Sequence, residues 1–202
     1  MGNGCSDEKK LSSREKILFA AFDLFHEKGI QATSVDDILR QSGTGKSQFY
    51  HYFKSKEGIV RAILADMHEQ LKRDISLNPA IESWSDLELW LKAPAQIQES
   101  CSCRRGCPVG TIAANLSPED EAIRQDIQLI FETIKSKPHA FFMAQQTQNK
   151  LKPSADPDSL ATFCVSVIQG TALLSKIERN TNPFHSGVEH ALIYLKSFRI
   201  EG

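Results

Sequence analysis

Apolar residues recur at helical spacing along almost the whole chain, and no stretch alternates in the manner of a strand. After Ser12 or Ser13, either able to cap a helix, Ile17, Ala20, Ala21, Leu24 and Phe25 share one face until Gly29 stops the pattern. Two short patterns follow. Thr33 is placed to cap the first, with Asp36 and Asp37 in its dipole-positive turn, Val35, Ile38 and Leu39 on one face, and Ser42-Gly43 as its end. The second runs from about Thr44 or Gly45 to Phe53, with Phe49, Tyr52 and Phe53 facing inward. Ser55-Lys-Glu-Gly58 then opens a helix whose stripe, Ile59, Ile63, Leu64, Met67 and Leu71, continues to about Ile75.

Asn78-Pro79 breaks the pattern and Ser85-Asp86 restarts it, with Leu87, Leu89, Trp90, Leu91 and Ile97 apolar and a kink expected near Pro94. A short apolar helix is expected over Thr111 to Leu116. Ser117-Pro-Glu-Asp120 reads as the capped start of a long helix carrying Ile123, Ile127, Ile130, Phe131 and Ile134, bent at Pro138 and extended by Phe141 and Phe142 toward Leu151. Asp156-Pro-Asp158 opens a helix that is apolar on more than one side, and a last helix runs from Phe184 or Ser186 to Phe198. The expected fold is all-α. Its divisions are a polar tail over residues 1–10, a helix-turn-helix unit over 11–58 and a helical regulatory and dimerisation unit over 59–202.

The two short helices separated by Gly43 form a helix-turn-helix signature. On the second, Lys46, Ser47, Gln48, Tyr50 and His51 fall away from the apolar face, a set of donors and acceptors suited to base edges and phosphate oxygens. Lys46, Lys54 and Lys56 lie between positions 44 and 56 without a single acid, so the local field favours a polyanion. Gly45-Lys-Ser47 resembles the end of a phosphate-binding Walker loop, but the glycine such a loop requires five residues earlier is Arg40, and no strand precedes it.

Composition narrows the partners. A chain of 202 residues with 41% hydrophobic content can bury a substantial core, while a net charge of −1 gives no overall basic footprint, so nucleic-acid binding rests on the local patch. Five cysteines without a signal peptide fit a reducing cytoplasm. Uninterrupted apolar runs such as Ile17 to Phe22 are far shorter than the ~18 residues of a membrane span, so no membrane partner is expected. No catalytic constellation such as paired carboxylates or His-Glu-x-x-His stands out, and no cofactor or metal is expected.

Thr33-Ser-Val-Asp-Asp-Ile38, Ser42-Gly43, Gly45-Lys46 and Phe49-Tyr-His-Tyr-Phe-Lys-Ser-Lys-Glu-Gly58 closely resemble the DNA-binding domain of the TetR family of bacterial repressors. The resemblance is specific from about Ser13 to Leu64. It implies that Lys46, Ser47, Gln48, Tyr50 and His51 face the major groove or its phosphates, that Ser34, Thr44 and Lys56 approach the DNA backbone, and that Gly45 and Lys54 belong to the same surface. Where the family usually has Val-Ser-Lys-Gly, this chain has Thr44-Gly-Lys-Ser47, so the serine cap of the recognition helix is missing and Thr44 is the expected substitute.

The resemblance also implies a repressor with a small-molecule effector site in the second unit, for which Trp90, Phe131, Phe141 and Phe142 are candidate walls. It implies that double-stranded operator DNA is bound by a homodimer. A helix with two apolar faces needs two partners, so Phe163, Val167, Leu174, Val188, Leu192 and Leu195 on the last two helices are the candidate dimer contacts. Cys101, Cys103 and Cys107 lie beside Arg104 and Arg105, a setting that favours thiolate. Inert thiols, a soft-metal site and an electrophile or redox sensor all remain open. The run Arg104-Arg-Gly-Cys-Pro-Val-Gly110 also resembles a stretch in one branch of the family, some members of which answer to electrophiles, which favours Cys107. The rival reading is an enzyme with Cys107 as nucleophile and His139 as base.

Overall fold

The computed structural model describes residues 11–73 and 80–200; expectations for the tail over 1–10, for Ile75 and for Asn78-Pro79 lie outside them. Among the described residues there are nine helices and no strand, apart from one isolated antiparallel bridge between Leu151 and Arg199. The chain divides into two compact units, with the division between Ile63 and Leu64.

The first unit holds α1 (Ser13–Lys28), α2 (Val35–Ser42), α3 (Lys46–Phe53) and the opening turns of α4 (Lys56–Arg73). Ser12 caps α1 through a reciprocal pair of bonds with Glu15. The capping of α2 differs from expectation. Ser34, not Thr33, is the N-cap, exchanging bonds with Asp37, while Thr33 is buried and donates its hydroxyl to the carbonyl of Gly29 at 2.8 Å. Burial decides between the adjacent hydroxyls, because a buried hydroxyl needs a partner and the C-terminal end of α1 supplies the carbonyls of Leu24 and Gly29. Gly43 ends α2 in the left-handed conformation, φ 66°. Ile17, Leu24, Phe25, Ile38, Phe49, Phe53, Ile59 and Val60 form the core of this unit. Tyr52, expected inside, is 42% exposed.

In the second unit Ser83 caps α5 (Trp84–Ser100), two residues before the expected start, and the helix continues through Pro94. Leu89 and Ile97 point outward, and Ala95 and Gln98 take the inward positions instead. Helix α6 spans Pro108–Ala113, earlier than expected. Ser117 bonds the Asp120 carboxylate from its N–H and hydroxyl, so Ser117–Asp120 forms a turn ahead of α7 (Glu121–Thr147) rather than the first turn of that helix. Helix α7 runs through Pro138 to its end. Asp156 caps α8 (Pro157–Glu178) by accepting from the N–H of Ser159, and α9 (Asn182–Lys196) follows.

Helices α5, α7, α8 and α9 share one core of Leu87, Trp90, Leu91, Phe141, Phe142, Leu160, Cys164, Phe184, Val188, Leu192 and Leu195. Trp84 meets Phe141 edge-on at 5.3 Å. By length and composition α8 could cross a membrane, with a mean hydropathy of 1.5 over 18 residues. Counting uninterrupted runs missed it because Ser166, Gln169, Thr171 and Ser175 punctuate the helix. Its packing partners are α5, α7 and α9, which cover about 33% of that stretch.

Candidate functional site

Helix α3 has one face in the core and the rest in water. Phe49 and Phe53 are buried, whereas Lys46, Ser47, Gln48, Tyr50, His51 and Tyr52 are exposed. Its N-cap is Gly45, which offers no side chain, so the first turn of α3 presents backbone N–H groups and the positive dipole end without a side-chain acceptor. Thr44 does not take over the capping role; its hydroxyl is 2.7 Å from that of Ser42. The polar groups next to this face already have partners. Lys46 Nζ lies 3.1 Å from the Asp36 carboxylate, with both groups well exposed. Gln48 donates from Nε2 to Ser13 Oγ at 3.1 Å and accepts from the Gly45 N–H at 3.4 Å.

Lys56 is half-buried and donates to the carbonyl of Thr33 at 3.0 Å, which ties the start of α4 to the loop before α2. Ser34 donates its hydroxyl to Asp37 at 2.6 Å. That bond, with the Ser34 N–H, holds the Asp37 carboxyl below its ordinary range. Lys54, exposed, occupies a left-handed conformation, φ 62°, in the link between α3 and α4. Arg14 stacks over the Phe53 ring at 5.8 Å, fixing the C-terminal end of α3 against α1.

Link and loop geometry also shape the cysteine segment. Ser102 and Cys103 are consecutive left-handed residues, each at φ 52°, and the Cys103 N–H returns to the Gln98 carbonyl at 2.7 Å. Cys103 is buried, and that burial pushes its thiol up, with Cys101 and Glu99 adding to the effect. Cys101 and Cys107 are half-buried. Cys107 is the N-cap of α6; its Sγ accepts from the Gly110 N–H at 3.4 Å. Among the described residues no group of three or more His, Cys, Asp or Glu side chains is arranged to hold a metal. His139 lies near Asp158 at the start of α8, where its charge helps to lower that carboxyl after the larger effect of the bond from Lys135.

Of the four candidate effector walls, Trp90, Phe141 and Phe142 are in the closed core. Phe131 instead lines an open groove of about 470 Å³ between α7 and α8, with Val165, Gln128, Lys135, Ser166 and Gln169. Gln169 reaches from this groove to α6, where its side chain closes on the Cα of Gly110. The candidate dimer residues separate likewise. Val188, Leu192 and Leu195 belong to the chain's own core, Phe163 and Val167 are half-buried and Leu174 is exposed. Leu173, Ile177, Ile193 and Tyr194, none of them among the candidate dimer contacts, are exposed large apolar side chains on the same two helices.

A helix-turn-helix whose second helix buries its aromatics and shows a polar, cationic face defines a DNA-binding protein. Residues 17–63 match the model of the bacterial regulatory proteins of the tetR family, and residues 85–190 match that of the LmrA/YxaF-like transcriptional regulator C-terminal domain. The chain belongs to the TetR family of bacterial transcriptional regulators. It is 30% identical, over 88% of its length and 90% of the relative's, to an HTH-type transcriptional regulator of the lacX 3′ region of Lactococcus lactis subsp. lactis. It is 29% identical to the HTH-type transcriptional repressor DhaR of Mycobacterium sp. strain GP1, covering 84% of this chain and 85% of that one. Its fold is shared with the regulatory protein TetR from Rhodobacter sphaeroides, at a TM-score of 0.74 and 24% identity over 93% of this chain and 99% of that one.

Proposed function

We propose that this regulator is a cytoplasmic homodimeric repressor that holds operator DNA through residues 11–58 and is released by an effector acting on residues 59–202. The observation that carries the reading is the division of α3 between a buried aromatic face and an exposed polar one. Lys46, Ser47, Tyr50, His51 and Lys54 take phosphate oxygens or base edges, Gln48 reads a base, and Ser34, Thr44 and Gly45 approach the backbone. Lys56 gives one of its three ammonium N–H groups to the Thr33 carbonyl and turns the others toward the phosphate backbone.

Dimerisation through α8 and α9 is supported by Leu173, Leu174, Ile177, Ile193 and Tyr194, whose exposure is costly in water and useful at an interface. For the effector, the α7–α8 groove and the cysteine segment are neighbours, linked by Gln169 and Gly110. A ligand in the groove or a modification at Cys107 Sγ therefore acts on the same turn of α6. Burial of Cys103 makes it the least accessible thiol of the segment and leaves the half-buried Cys101 and Cys107 as the more accessible pair.

A gel shift with DNA from upstream of the protein's own gene tests the reading. Retardation that is lost at high salt and competed by the same DNA, but not by unrelated DNA, is expected. Equal competition by any duplex would overturn specific operator binding.

A further inference from the structure

Gln48 is the amide on the exposed face of α3, and in this structure it is held. One of its two N–H bonds goes to Ser13 Oγ at 3.1 Å, and one of its two lone pairs takes the Gly45 N–H at 3.4 Å. Half of the amide's hydrogen-bonding capacity therefore remains, one donor and one acceptor. That residual pair matches what an adenine edge asks for in the major groove, where N7 accepts and the N6 amino group donates.

The Gly45 anchor also fixes which end of the amide is which, while the Ser13 hydroxyl fixes where the amide sits. Rotating the group by half a turn would set its NH2 against the Gly45 N–H, donor facing donor, so the flipped amide loses a bond that the observed one makes. An unanchored glutamine would have to freeze its side-chain torsions on binding and would offer either order of donor and acceptor. Ser13 supplies the second anchor from a different helix. It can do so without a capping duty, because the N-cap of α1 is Ser12, bonded reciprocally to Glu15.

We infer that Ser13 is a specificity-determining residue: its hydroxyl positions the Gln48 amide so that the recognition helix prefers one base over the others. The inference rests on the proposed reading of Gln48 as a base contact. It assigns to α1, which also holds α3 through Arg14 over Phe53, a part in sequence discrimination.

The test uses the full chain and a duplex selected by the parent protein from a randomised pool, with every single-base replacement measured at equilibrium and fixed salt. Ser13→Ala is expected to keep the parent's melting temperature and salt dependence, and to reduce the preference at one base position by roughly three- to tenfold. Ser13→Thr, which keeps the hydroxyl, is expected to restore it. In a Gln48→Ala background Ser13→Ala should change nothing further. A Ser13→Ala protein with the parent's full preference, alongside a Gln48→Ala protein that has lost it, would overturn the role of Ser13 alone. A loss spread evenly over all duplexes would overturn it in favour of a backbone contact. A Gln48→Ala protein with unchanged preferences would remove the reading of Gln48, and the inference with it.

Discussion

Lys46, the first residue of the recognition helix, sits 3.1 Å from the carboxylate of Asp36 on the preceding helix. The pair is exposed, so it adds little to stability. Its consequence concerns DNA: the cation best placed for a phosphate carries an acid beside it, which moderates the local field of an otherwise acid-free stretch.

Lys46→Ala should accordingly weaken binding to all duplexes alike, by about 1 kcal/mol, and make the salt dependence shallower. Asp36→Asn should do the reverse, tightening binding several-fold without altering base preference. Anisotropy titrations at two salt concentrations read both. An Asp36→Asn protein that bound more weakly would show that the carboxylate positions Lys46 rather than competing for it.

Two substitutions on α9 should part company. Leu192 is buried in the chain's own core, so Leu192→Glu should unfold the second unit, seen as lost helical circular dichroism. Ile193, 62% exposed, should accept glutamate with the helix content intact while sedimentation shows a monomer. A dimeric Ile193→Glu protein would move the interface off this face.

If the regulator senses covalently, Cys107→Ser should keep operator binding and lose release by a mild electrophile or peroxide, followed by gel shift and intact mass. The hydroxyl can still accept from the Gly110 N–H, so α6 stays capped. Equal release in parent and variant would discard Cys107. No release in either would leave a reversible ligand in the α7–α8 groove as the trigger.

Asp37 gives the first unit an acid-sensitive joint. Bonds from the Ser34 hydroxyl and N–H hold its carboxyl below the ordinary value, so the folded chain binds a proton less readily than the unfolded one. The stabilisation is present above the unfolded pKa and is lost as pH falls through the lowered one. Asp37→Asn should therefore melt below the parent at neutral pH, with the gap closing as the pH falls below the ordinary carboxylate range. A gap that stayed constant across that range would show that the ionised form is not what matters.

Gly58 should tolerate no side chain. A Cβ there would collide with the carbonyl oxygen of Phe53, a backbone atom that cannot swing aside. Gly58→Ala should cost about 2 kcal/mol or more, read as a lowered denaturant midpoint.

The helix-turn-helix was legible because its signals are local: Gly43, the acids of the first turn and the aromatic spacing of α3. Thr33 and Ser34 could not be told apart from sequence, since both are hydroxyls and only the position of the end of α1 gives Thr33 its buried partner. The same limit explains α5 and α9. Leu89 and Ile97 are as apolar as their buried neighbours, and Leu192 differs from Ile193 only in which way the helix is turned. Helices with apolar residues on several sides carry no internal mark of which side meets their own core. The bonds that hold Gln48 and Lys56 were out of reach for another reason, because they join residues 35 and 23 positions apart.

Between Phe53, which ends the recognition helix, and Lys56, which begins α4, there are only Lys54 and Ser55. The Ser55 N–H doubles back to the Phe53 carbonyl at 2.7 Å, and Gly58 backs directly onto that same carbonyl. A joint built this way has no lost motion. Any turning of the first coil of α4 must carry Phe53 with it, and with Phe53 the Tyr50 and His51 side chains, so the two helices behave as meshed gears rather than as beads on a string.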